Sequence, residues 1–315
     1  MFLRWGKNNI AFMVLFLSVV AIGIWIENQY YLQVMTFIGI NTLLALGLNM
    51  LMGYAGQISL GHAAFYGLGA YTSAILSVHY NVNPWLALIG AVLTASLIAF
   101  IIGIPTLKLS GYYLGMGTLG FGMVVHVLFR EWSTLTGGAS GFVGIPTLEL
   151  GPISFLSVRN YFYLVWLILL ANMVICRRLI DSRIGRALRS IHDSEHAAGA
   201  VGVDTANLKL MIFVFSAAMS AVAGFLYAHF VSFISPGSFT FLASVRMVTM
   251  VVIGGMASIW GALLGASLLT LLPEWLHAFA DYEMVVYGAV LMIVMILLPQ
   301  GLTRGLMEIY ERSRK

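Results

Sequence analysis

Residues 52–71 read MGYAGQISLGHAAFYGLGAY and set Gln57, Ser59 and His62 among glycines at 53, 56, 61, 67 and 69. An amide, a hydroxyl and an imidazole this close could hydrogen-bond a polar solute, pass a proton, or satisfy open N–H groups at a helix start. Proton passage is disfavoured, because proton-coupled carriers keep an ionisable carboxylate or histidine deep among their helices. The 12 acidic residues, among them Glu27, Glu131, Glu149, Asp181, Asp193, Glu195, Asp204 and Glu274, can all be placed in connections or at helix ends. His126 and His229 lie inside or near the ends of apolar runs with no deep carboxylate, which favours interfacial or interhelical hydrogen bonding over a relay. Sodium coupling through backbone carbonyls stays open.

Enzymatic signatures are missing. The sequence has no His-Glu-x-x-His, no Cys or His cluster at metal spacing and no Gly-x-Ser-x-Gly elbow. Its one Gly-Lys pair, Gly6-Lys7, is followed by Asn8 and lacks the upstream glycine of a phosphate-binding loop. No cofactor is therefore expected on this chain, and any ATP and Mg used in its work must sit on another polypeptide.

The elements that hold these residues are set by composition. Of 315 residues 60% are hydrophobic and 9% charged, with a mean hydropathy of +0.95, whereas soluble domains carry about 25% charge. The expectation is an all-α polytopic membrane protein in one domain, 1–315. Apolar runs of spanning size fall at about 10–26, 31–52, 62–78, 85–104, 111–129, 160–176, 209–231, 241–254, 259–272 and 284–298. The pair flanking Gly254-Gly255 could instead be one re-entrant hairpin. Ten spans would give two five-helix halves of opposite orientation.

With the N-terminus inside, 13 of the 16 Lys and Arg fall on the inner side, and only Arg130 and Arg159 outside. Basic residues mark the cytoplasmic face, so both termini are expected there, with an extracytoplasmic loop at 130–159 and a cytoplasmic loop at 177–209. The basic balance thus needs no nucleic acid. Arg4 and Lys7 ahead of Ile10–Ile26 resemble a signal peptide, but no small-x-small site follows Ile26, and an uncleaved first helix is expected. The lone Cys176 offers no internal disulfide.

Small residues recur at helical spacing: Ala63, Gly67, Ala70 and Ala74; Gly111, Gly115, Thr118 and Gly122; Ala217, Ala221, Gly224 and Ala228; Ala257, Gly261 and Gly265. Such rows let helix backbones approach closely where lipid supplies no hydrophobic drive. On the inner loop, Asp193 or Ser194 could cap a short helix carrying Glu195 in its first turn, with Gly202 as a left-handed stop. Two turns cannot stand alone in water, so this helix must rest on the next span or on a partner. A merely topological charged loop is the competing reading, and the small side chains of EHAAGAVG favour a helix seated in a partner's groove. Asp204 and Thr205 look like the cap of the following span.

Together these residues resemble a known family. Glu195-His196-Ala197-Ala198 with Gly202, then AGFLYA at 223–228, looks like the coupling loop of ATP-binding-cassette importer permeases, specifically branched-chain amino-acid permeases of the LivM type. NTLLALGLNMLMGYAGQISLGHAAFYGLGAY (41–71), GYYLGMGTLGFG (111–122), WSTLTGGASGFVGIP (132–146), IGGMASIWGALLGA (253–266) and LLPQGLTRGL (297–306) match in order. Gly199 departs from the alanine or glutamate the resemblance suggests, and would loosen the docking helix by about 0.5–1 kcal/mol. The resemblance implies a bacterial cytoplasmic-membrane complex with a LivH-like second permease, two ATPase subunits and a periplasmic or lipid-anchored binding protein. Arg186, Arg189, Asp193, Glu195, Ala197, Ala198 and Gly202 would form its coupling surface. The two arginines could pair with acidic groups on the ATPase or remain solvated.

Candidates for the solute path are Asn41, Thr42, Asn49, Gln57, Ser59, His62, Thr118, Ser216, Ser220 and Thr249, each of which could equally bond between helices. Arg246 is expected to snorkel outward, the alternative being that it attracts a carboxylate. Ser59 is the expected cap of the third span, and Gly53–Gly61 a cytoplasm-side turn bordering the path. Branched-chain amino acids are the implied solute. Urea, amides or small carboxylates, or a self-sufficient ion-coupled carrier, are the alternatives.

Overall fold

The computed structural model describes residues 2–109, 111–151 and 153–276, together with 288, 289, 292 and 301–303. Its helices are α1 Phe2–Trp25, α2 Gln29–Asn49, α3 His62–Val78, α4 Pro84–Thr106, α5 Tyr112–Glu131, α6 Ser133–Thr136, α7 Val158–Asp181, α8 Arg183–Asp193, α9 Glu195–Ala200, α10 Thr205–Val231, α11 Phe241–Gly254 and α12 Ile259–Leu276. A π-helical turn, Met50–Tyr54, prolongs α2. Among the described residues, five stretches are long and apolar enough to cross a bilayer: Gln29–Tyr54, α4, α5, α7 and α10. The apolar helices Ile10–Trp25, α11 and Ile259–Glu274 are shorter. The expected span at 284–298 lies largely outside the described residues.

Two helices run past the apolar stretches that announce them. α10 begins at Thr205 because the Asp204 carboxylate accepts from the Asn207 N–H at 3.2 Å, and Lys209 at its base is neutralised by Glu195. α7 continues to Asp181, helped by an i,i+4 ion pair between Arg177 and Asp181. α4 starts at an Asn83 cap with Pro84 in its first turn. Its residues Ala87, Ala91, Ala95, Ala99 and Gly103 are buried one turn apart, while Leu86, Ile89, Leu93, Leu97 and Ile101 face outward. In hydrocarbon that division is stable: the bulky side chains meet lipid, and the small ones let α4 lie close to α3 and α10.

α3 and α10 run parallel and nearly touch. His62 lies beside Ser216, Gly69 against the Ala221 backbone, Gly224 against Tyr66 and Ala70, and Ser73 beside His229. This pairing fixes a depth. Ser216 is eleven residues beyond Thr205, about 16 Å along α10, so α3 starts inside the bundle. Its 17 residues rise about 25 Å, less than the ~30 Å of a hydrocarbon core. The small-residue row on α5 packs on the same region, with Gly122 against Gly61 and Gly115 against Ile58.

The connection from α5 to α7 carries three of the four strands among the described residues, β1 Phe142–Val143, β2 Glu149–Leu150 and β3 Ile153–Ser154, and β4 Phe233–Ile234 follows α10. β1 pairs antiparallel with β4, and β2 with β3. His229 adds a second tie. Its Nδ1–H donates to the Pro146 carbonyl at 2.7 Å, and its Nε2 accepts from the Ser73 hydroxyl at 2.6 Å.

A Cβ at Gly224 would run into the Tyr66 carbonyl, whereas one at Gly199 would meet open space. Gly224→Ala should therefore destabilise the detergent-solubilised protein by about 1–3 kcal/mol, as overpacking does. Gly199→Ala should leave it unchanged or up to about 1 kcal/mol more stable. Thermal melts of the two variants side by side check this.

Candidate functional site

The stretch 55–61 is where helical order stops inside the bundle. α2 widens into its π turn at Met50–Tyr54, a distortion frequent at functional sites. Space made there is filled by the connection between α11 and α12. Asn49 clasps that connection: its Nδ2 donates to the Ser258 carbonyl at 2.7 Å, and its Oδ1 accepts from the Ala257 N–H at 2.9 Å. Ala257 has φ +57, a left-handed conformation that alanine adopts only at a cost of about 1–2 kcal/mol. Gly53 lies against Ala257 and leaves no room for a side chain.

Beyond the π turn the chain doubles back. Gly56, at φ +68, lies against His192 at the end of α8, and six residues later His62 stands beside Ser216. Ser59 does not cap α3, contrary to expectation. The cap position is Gly61, and the freed N–H groups are met from other helices. Leu60 N–H donates to Thr118 Oγ1 on α5 at 3.0 Å, and Ala63 N–H donates to Ser244 Oγ on α11 at 3.0 Å. The segment turns its polar side chains inward: Gln57, Ser59 and His62 are buried, while Gly56 and Ile58 are exposed.

Ser216 Oγ donates to the Gly47 carbonyl at 2.6 Å and lies 3.2 Å from His62 Nε2. With its proton so committed, the hydroxyl accepts from Nε2–H, and His62 Nδ1 is left as an acceptor. Nδ1, both amide atoms of Gln57 and the Ser59 hydroxyl have no partner among the described residues. Unpaired buried groups cost about 1–3 kcal/mol each, so this trio is disposed to receive polar groups. Ser220 and Thr42 instead bond back to their own helices, at Ser216 and Ile38, as does Thr249 at Val245.

A second polar region lies between the middle of α2, α11 and the end of α12. A cavity of about 370 Å³ is lined there by Asn41, Thr270, Arg246 and Glu274 among apolar side chains. Asn41 donates to Thr270 Oγ1 at 2.9 Å, and the Tyr30 hydroxyl donates to Glu274.

The third region is α8 and α9. Ser182 caps α8, and Ser194, rather than Asp193, caps α9 by accepting from the Ala197 N–H. Gly202, at φ +84, ends α9: its N–H donates to Gly199, and the Val203 N–H to the Ala198 carbonyl. That is the paired closure of a Schellman stop. Arg186 and Arg189 donate to the last carbonyls of α7, Asp181 at 3.3 Å and Ile180 at 3.2 Å, and Arg189 also lies over the Tyr54 ring. Glu195 is engaged by Lys209. Ala197, Gly199, Ala200 and Val201 remain exposed, while Ala198 is buried.

An apolar bundle with interior non-helical turns, a polar chamber and an exposed helix of small residues defines a multi-pass membrane transport permease. Residues 30–295 match the family described as the permease component of branched-chain amino acid transport systems, and the chain belongs to that family. It is 35% identical over 86% of its length, and 69% of the relative's, to the high-affinity branched-chain amino acid transport system permease protein LivM of Escherichia coli. It is 28% identical over 87% of its length, and 95% of the relative's, to the corresponding LivH protein of Salmonella typhimurium. No solved structure matches.

Asn49→Ala would leave the Ala257 N–H and the Ser258 carbonyl without their partner. A loss of about 1–3 kcal/mol is expected, and Asn49→Asp, which sets a buried carboxylate oxygen against the Ser258 carbonyl, should lose at least as much; chemical unfolding in detergent measures both.

Proposed function

We propose that this chain is a permease subunit of an ATP-binding-cassette importer that moves branched-chain amino acids across the bacterial cytoplasmic membrane. The similarity over residues 30–295 to a permease family carries the reading. In this reading the chain is one domain with about ten spans in two inverted halves, both termini cytoplasmic, 130–159 outside and 177–209 inside. It works beside a LivH-like permease and two ATPase subunits that hold ATP and Mg, and a binding protein delivers the solute.

The route of coupling follows from contacts. α9 offers the partner ATPase a surface of small side chains, held rigid by Ser194 at one end and Gly202 at the other. Motion imposed there reaches α10 through Glu195 and Lys209, and reaches residues 55–61 through α8, whose His192 lies on Gly56. Gln57, Ser59 and His62 border the solute path and exchange partners as that segment shifts. The arginines at 186 and 189 act chiefly by tying α8 to the end of α7.

The chain reconstituted with the LivH-like permease, the ATPases and the binding protein should take up leucine only with ATP, and uptake by this chain alone on an ion gradient would sink the proposal. Ala197→Trp, which fills the exposed face of α9, should lower ATP-driven uptake by about tenfold, as ~1.4 kcal/mol at an interface does, without changing the melting temperature. Gln57→Ala and His62→Ala should each reduce uptake as well. Unchanged uptake in both would leave 55–61 as a packed bend.

A further inference from the structure

We infer that the cavity between α2, α11 and α12 is a binding site for a zwitterion, with the carboxylate of the solute at Arg246 and its ammonium group at Glu274. The inference deepens the proposed function, on which it rests for the choice of solute. The chamber, about 370 Å³, lies within the range of small-molecule sites of about 300–1,000 Å³.

Its walls are divided by chemistry. Val34, Leu44, Met247 and Met250 present an apolar surface suited to a branched aliphatic side chain. One cation and one anion stand at the same chamber without forming an ion pair with each other. Arg246 has neither a hydrogen-bond nor an ion-pair partner among the described residues. Its planar fork suits a carboxylate that can accept two parallel N–H bonds. Glu274 receives the Tyr30 hydroxyl at one position and keeps further acceptor positions open.

Arg246 is exposed and Glu274 half-buried at the end of α12, so both charges are open to a solute that enters the chamber. A lone anion or lone cation would satisfy one of these groups and leave the other uncompensated. A zwitterion satisfies both at once. Placement agrees with entry from outside: Val34 and Phe37 early in α2, Pro273 and Glu274 late in α12 and Tyr227 near the end of α10 lie in the outer half on the proposed topology, while Leu44, Met250 and Tyr66 line the deeper wall. The same α11 that carries Arg246 carries Ser244, the hydroxyl that receives the Ala63 N–H at the start of α3. Occupation of the chamber is thereby felt at the buried trio.

The test uses the reconstituted complex with its ATPases and a saturating leucine-loaded binding protein, reading leucine uptake and ATP hydrolysis together. Arg246→Gln and Glu274→Gln should each lower uptake about tenfold while stimulated hydrolysis stays within about twofold. Arg246→Lys, which keeps charge but not the fork, should fall between. The double variant Arg246→Gln/Glu274→Gln should be no better than either single one. Recovery in the double variant would mean that the two charges only balance each other, and would overturn the site. So would unchanged uptake, or uptake and hydrolysis falling together. If the wild-type complex carries no leucine, the solute assignment fails by itself. The variants are then read with the solute it does carry, and a solute without both charges would overturn the zwitterion site.

Discussion

A backbone that leaves the helix inside a membrane bundle frees N–H and C=O groups that no water in the hydrocarbon can meet, and every other feature of this protein is arranged around that constraint. The chain breaks helical order at two neighbouring places, 55–61 and 255–258, and answers each with side chains from elsewhere. Asn49 supplies both a donor and an acceptor to the second break. Thr118 and Ser244 supply acceptors to the first. The two breaks are neighbours, joined by the π turn and by Gly53 against Ala257. A permease needs such places, because polar solute can only meet polar protein where the backbone or a side chain is turned toward it.

What the bundle gains from packing is set by the same solvent. Lipid is as apolar as leucine, so burying leucine is no driving force, and close approach of backbones takes its place. The Ala87–Ala91–Ala95–Ala99–Gly103 stripe and the α3–α10 seam both serve this. Side-chain bonds to main-chain carbonyls across helices reinforce them, as from Tyr161 to Leu226 and Trp166 to Met35.

Much of the fold is legible in residue order. The helical character, the bounds of the run at 241–254, the Gly202 stop and the Asp204 cap follow from local chemistry. The alanine stripe of α4 was equally readable, since its four-residue repeat is strict. Ser59 misleads because the true partners of the α3 start, Thr118 and Ser244, stand 58 and 181 residues from the groups they bond. Depth was hidden for the same reason: only the parallel pairing of α3 with α10 reveals that His62 is interior. Arg186 and Arg189 look free in a charged loop, but the turn from α7 into α8 folds them back on the α7 carbonyls. The chamber at Arg246 and Glu274 needs α11 and α12 folded on one another, which the sequence offers only as an alternative about Gly254-Gly255, and it needs α2 beside them, which spacing does not announce.

The α3–α10 seam has a mechanical meaning. With Gly69 on the Ala221 backbone and Gly224 on the Tyr66 carbonyl, neither helix can slide along the other without a backbone collision. The two therefore form one stiff rod, anchored by Glu195 to Lys209 at one end and by Pro146 to His229 at the other. Compliance in this pair then resides in the non-helical joints at its ends rather than along the seam.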